Sequence, residues 1–313
     1  MARNAVPLVL ASLLALALAG PGLGSQSIAR GPSQVSLEVN RKGVALVTFV
    51  RPGRTSRVHL LAWGAVNARP PTRGVPQVKL ALDYSGGWRS RGKRVWKRFR
   101  DRCAPYDGPP LAYLVAACKA SDGSYWALQS WQRRLPGWGA LPTKQIQRQA
   151  ELRLSHWTGE LARLEVWHDW KHQPRFHEIF GRLTYRGRPV HAVARVSGGR
   201  SGIGYARRVY FDTLNSGYGR GWRRANAILA HRTTGTFCAI FARHHEDKGV
   251  VNKARGERYR LTIAGPGVTP DLFREIEALP EYDPSDPALV AHELEMNAIL
   301  RGLRDTTRFC AGD

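Results

Sequence analysis

The stretch LRLSHWTGELARLEVWHDWKHQPRFHEIFGRLTYRGRPVHAV, residues 152–193, decides the fold class of this chain. Leu152 to Trp157 and Leu161 to Trp170 read as strands around Thr158 and Gly159, and Phe176 to Tyr185 pairs with Pro189 to Val193 across Arg186 and Gly187. Successive strand residues point to opposite faces. Leu164, Val166, His168 and Trp170 therefore share one face, expected to be core, and Glu165, Trp167 and Asp169 share the other, expected to be exposed.

The same pattern continues outward. Val35–Asn40, Val44–Val50 and Arg57–Ala68 are β-branched or alternating runs separated by turn chemistry, and Gln77–Tyr84 alternates as a fourth strand. Leu111–Ala120 and Ser124–Arg133 form a hairpin across Asp122 and Gly123, loaded with Tyr113, Tyr125, Trp126 and Trp131. Arg207–Thr213, Thr236–Arg243 and Arg258–Ala264 are further strands, and the Gly-rich runs 197–205 and 215–222 read as loops. About twelve short strands with few helical patterns favour a mainly β, two-layer antiparallel sandwich-like architecture.

Three helices are expected beside the strands. Residues 88–102, WRSRGKRVWKRFRDR, carry eight cations and one acid, and from about Gly92 they place Val95 and Phe99 on one face of a short basic helix. Thr269-Pro270-Asp271 reads as the start of one C-terminal helix, and Ser285-Asp286-Pro287 as the start of a second, striped by Leu289, Met296, Ile299, Leu300 and Leu303. The expected layout is a signal peptide at 1–19, a flexible leader at 20–34, β-rich halves at 35–135 and 143–268 that could form one continuous domain, and a helical acidic tail at 269–313.

The signal peptide rests on Arg3, the apolar run Val6–Ala19 and the small residues at its end; Gly20-Pro21-Gly22 stops the run short of a membrane span. Export would put Cys103, Cys118, Cys238 and Cys310 in an oxidising compartment. Of the three possible connectivities, Cys103 with Cys118 and Cys238 with Cys310 are expected, the first because the two are close in sequence. No pair has the C-x-x-C spacing of a zinc knuckle. The formal net charge is +24, with 39 Arg against 9 Lys. Such a surface attracts polyanions, although an Arg-rich, Lys-poor composition also follows from a GC-rich genome.

Catalysis would need an activated nucleophile, a metal or paired carboxylates. Neither G-x-S-x-G nor H-E-x-x-H occurs. His168 and His172 are too far apart along a strand to share a metal, and His244, His245, Glu246 and Asp247 read as a solvated loop, so no metal and no cofactor is expected. Glu165 and Asp169, four residues apart on one face, stand about 13 Å from each other at the strand rise, beyond the roughly 5 to 9.5 Å of glycosidase pairs. Either would need a carboxylate from a neighbouring strand, such as Glu178 or Asp212.

What remains is a surface of Trp, Tyr and Arg. Glu165, Trp167 and Asp169 offer a ring face flanked by carboxylates, suited to a pyranose, while Arg182, Arg186 and Arg188 suit sulfate, phosphate or carboxylate. The expected function is binding of carbohydrate or an anionic wall polymer at the cell envelope, with an anionic membrane surface as another partner and no specific nucleic acid. An exported carbohydrate-active enzyme or other hydrolase is the alternative, and a structural or protein-interaction module is the third.

Overall fold

The structure is a computed structural model that describes residues 25–70, 77–132, 150–171, 176–190, 194–196, 204–230, 234–243 and 254–303. The expected signal peptide, the loop at 135–142 and the polar run after it, His172, the 197–203 part of the first Gly-rich run, the 244–249 loop and Cys310 lie outside those residues.

The described chain is mainly β, and its sheets are antiparallel. One sheet runs β1 (Gln26–Arg30), β9 (Ala150–Trp157), β8 (Tyr125–Gln132), β7 (Leu114–Lys119), β6 (Ala104–Pro105). Another runs β2 (Ser33–Val39), β3 (Ala45–Val50), β4 (Arg57–Gly64), β5 (Leu80–Asp83). In a third, β10 (Arg163–Lys171) pairs with β11 (Phe176–Tyr185), which also pairs with β12 (Arg188–Pro189) and β16 (Thr236–Arg243). The fourth runs β13 (Ala194–Val196), β14 (Gly204–Ser216), β17 (Arg258–Ile263), β18 (Leu272–Glu277), with β15 (Gly219–Ala230) also on β14.

Alternation along these strands builds two apolar clusters. Val47, Phe49 and Leu60 meet Trp126, Leu128, Leu152 and Leu154 in one, so the first two sheets share it. Leu164, Ile179, Leu183 and Phe237 meet Val209, Phe211, Leu261 and Ile263 in the other, shared by the third and fourth sheets. Each fully buried large side chain contributes about 1.5–3 kcal/mol. Gly181 makes one close approach possible: a Cβ there would stand 2.3 Å from the Glu165 carbonyl oxygen and 2.4 Å from the Phe237 ring.

Several elements differ from the sequence reading. Gln26–Arg30, expected in the flexible leader, is a strand on β9 that buries Ile28, because main-chain pairing tolerates the polar composition that suggested a leader. The expected loop 215–222 is instead a hairpin: Asn215 and Gly219 take positive φ at the turn, and β15 follows. Only one of the two C-terminal helices forms. From Leu272 the chain is β18, paired with β17, so that Glu275 and Glu277 bridge Arg258 and Arg260 at 2.8–3.1 Å. DLFREIEAL fits period two as well as it fits a helix, and Asp271, read as a first-turn acid, is buried at the head of the strand.

The second expected helix spans Pro287–Gly302, with the Asp286 side chain accepting from the Ala288 N–H at 2.8 Å and Pro287 in the first turn. It buries Met296 and Leu300 against Phe180 and Trp167. On the same helix, His292 donates from Nε2 to the main-chain carbonyl of His168 at 3.0 Å, on β10, which pairs with β11 alone among the described strands.

The basic segment is shorter in its helix than its pattern predicts. Trp88–Arg91 is one turn, stopped by Gly92 at φ 64, and Val95–Arg98 is a 3-10 turn. Val95, Trp96 and Phe99 pack on Val44, Leu46 and Leu61, and Trp96 stacks on His59 at 3.9 Å. Cys103 and Cys118 are disulfide-bonded as expected, and Cys238 is disulfide-bonded too.

Candidate functional site

A cleft of about 140 Å³ opens where the β7–β8 hairpin meets the fourth sheet. The hairpin contributes Tyr113, Trp131 and Gln132, and β14, β15 and β17 contribute Asp212, Trp222, Arg224 and Arg260. Register places the charged residues in one row: Arg224 is opposite Asp212, Asp212 opposite Arg260, and Arg260 opposite Glu275 on β18. Signs alternate across four neighbouring strands.

The row is held by direct contacts. Arg224 donates to both Asp212 oxygens at 2.5 and 3.2 Å and to the Gln132 carbonyl at 2.7 Å, and its side chain is 4% exposed. Arg260 donates from Nε and Nη2 to Glu275 Oε1 at 3.0 and 2.8 Å. Its guanidinium lies 3.8 Å from the centroid of Trp222 and 5.8 Å from that of Tyr113. Stacking on an aromatic face fixes the fork while leaving its rim available.

The hairpin wall is equally constrained. Trp131 donates from Nε1 to Asp271 at 2.6 Å and meets Tyr210 edge-on at 5.2 Å. Tyr113 sits at φ 54, a left-handed conformation that is unusual for a bulky residue. Burial pushes its phenol above the usual range, so it stays a neutral hydroxyl across physiological pH. The cleft thus combines three aromatic rings with charged groups that neutralise one another, and keeps polar edges for hydrogen bonding. Ligand pockets share that character: apolar walls with a few placed polar groups.

The residues singled out from sequence fall elsewhere. Glu165 accepts from Arg182 Nε at 2.8 Å and bridges Arg163 at 3.2 Å. Trp167, half-buried, stacks on Phe180 at 5.8 Å, with the Arg182 guanidinium 6.0 Å from its ring. Asp169, expected to be exposed, is 1% exposed. The correction follows from packing: the Pro287–Gly302 helix lies on the face that period two assigned to solvent. Arg186 and Arg188 lie at the β11–β12 turn and line a separate cavity.

Two further constellations were tested for chemistry. Asp169 is directly opposite Glu178, a cross-strand carboxylate pair, but both are 1% exposed. Ser124 Oγ is 2.9 Å from His156 Nε2, yet Ser124 and His156 are 5% and 4% exposed and Ser124 Oγ also reaches Asp122 at 2.6 Å. Both pairs are closed to solvent. His168, expected in the core, is half-buried with its ring against His292, and burial lowers its pKa to about 4. The described residues contain no group of three or more His, Cys, Asp or Glu arranged to hold a metal.

The sequence reading missed Trp222, Arg224 and Arg260 as site residues. The available signal was the i, i+2 spacing of Trp222 and Arg224, masked by Gly217, Gly219 and Gly221. Comparison with protein-family models, with curated proteins and with solved structures finds no match to this chain.

Proposed function

We propose that this is an exported, disulfide-bonded carbohydrate-binding protein of the cell envelope, built of stacked antiparallel sheets, that seats one sugar ring in the cleft of Tyr113, Trp131, Trp222 and Arg260. The grouping of Tyr113, Trp131 and Trp222 around one cleft carries the reading, Arg260 covering one face of Trp222 at 3.8 Å. Ring faces suit the C–H face of a pyranose, and the edges of Arg260, Asp212 and Gln132 suit its hydroxyls. A polyanion is the weaker fit at this cleft, because Arg224 and Arg260 each already hold a carboxylate. The hydrolase alternative draws on Glu165 or Asp169 with Glu178 or Asp212; Asp169 and Glu178 are closed to solvent, and Glu165 and Asp212 hold Arg182 and Arg224.

The test is retention on an array of glycans and wall polymers, with heparin alongside, at two salt concentrations. Binding to a glycan should survive high salt, fall at least about tenfold in Trp222→Ala, and persist in Trp167→Ala. Unchanged binding in Trp222→Ala, or retention confined to heparin at low salt, overturns the proposal.

A further inference from the structure

We infer that the end of the β11–β12 hairpin is a second binding site, specific for an oxyanion: the carboxylate, sulfate or phosphate group of a small ligand. Its cavity, about 310 Å³, is lined by Ala68, Pro70, Tyr185, Arg186 and Arg188 and shares no lining residue with the aromatic cleft.

Three observations converge there. Arg186 and Arg188 are exposed, line one cavity and have no ion-pair partner among the described residues. Two guanidinium forks line one cavity, and the guanidinium fork is the side chain that binds oxyanions in bidentate fashion. The turn itself is unusual: Arg186 and Gly187 take φ 51 and 67, the two-residue turn that favours Asn-Gly, so a long cation occupies a position where its backbone is disfavoured. That backbone sets the Arg186 guanidinium 5.2 Å from the Tyr185 ring.

The third observation is Tyr185. It is 2% exposed, and its buried hydroxyl makes no hydrogen bond of good geometry, the Arg186 side chain being its polar neighbour. Buried hydroxyls are ordinarily paired. Burial raises its pKa above the usual range, Arg186 acts against that rise and Glu160, exposed nearby, acts with it. An oxyanion held by the two guanidinium groups would answer both charges beside the buried phenol.

Titration calorimetry on the full chain at constant ionic strength, with sodium sulfate, inorganic phosphate and D-glucuronate as separate probes, tests this. Saturable binding of at least one is expected, and which probes bind tells a free inorganic anion from a sugar acid. Arg186→Gln and Arg188→Gln should each weaken it about tenfold, Tyr185→Phe should weaken it less, and Glu160→Gln should strengthen it. Trp222→Ala should leave it unchanged, which keeps this outcome separate from that of the aromatic cleft. Absence of binding by all three probes, or a loss in Arg186→Gln and Arg188→Gln no larger than in the exposed control Arg94→Gln, overturns the assignment.

Discussion

Arg153 and Asp271 form an ion pair at 3.0 Å from which solvent is excluded, their side chains being 3% and 1% exposed. Asp271 also accepts from Ser25 Oγ at 2.5 Å and from Trp131 Nε1, while Gln129 reads its main chain at 2.8 and 3.1 Å. Arg153 donates to Ser25 and bridges Glu151 at 3.1 Å. Strands β8 and β9 are thereby fastened to the start of β18 through groups that are satisfied on every side.

Removing one member leaves the other charge buried. Asp271→Ala should cost about 3–5 kcal/mol of stability, read as a lower urea midpoint at unchanged slope. A loss under about 1 kcal/mol would mean that solvent reaches Arg153 in solution.

Acid should weaken the fold through His156. Its Nδ1 donates to the Ala65 carbonyl at 3.0 Å, its ring stacks on Trp126 at 3.9 Å, and burial lowers its pKa from 6.5 to about 4. The unfolded chain therefore binds more protons between those values. The contribution is complete above pH 6.5 and is lost as pH falls through about 4, amounting to about 3 kcal/mol. Urea unfolding between pH 7.5 and 4 should show that decline together with a like one from His168, and His156→Gln should make it shallower. An equally steep profile in the variant would place the proton elsewhere.

Gly181 is a packing requirement rather than a turn residue. Gly181→Ala drives a methyl group into the Glu165 carbonyl and the Phe237 ring, and overpacking of this kind costs about 1–3 kcal/mol. Thermal unfolding should register a lower midpoint. An unchanged midpoint would show that Phe237 moves aside freely.

Much of the fold was legible because strand periodicity is local. Leu164 and Val166 lie against the core as their spacing predicts, and the Asp286-Pro287 cap starts a helix where it should. Period two names a face without naming what lies on it. That is why Asp169 was expected in water and is found under cover, and why Phe273 and Glu275, which suit either helix or strand, were misassigned. The cleft was illegible for a related reason. Tyr113, Asp212, Trp222 and Arg260 come together only through the register of β14 with both of its neighbours and the docking of a distant hairpin.

The hydrogen bond from His292 to the His168 carbonyl has a consequence for association between molecules. β10 ends its sheet, and an unpaired strand edge is a template on which a second copy can add a strand. The Pro287–Gly302 helix lays its side chains along that edge and occupies one of its acceptors. A chain shortened before Pro287 would free this acceptor and uncover Phe180, and light scattering during refolding should rise with it.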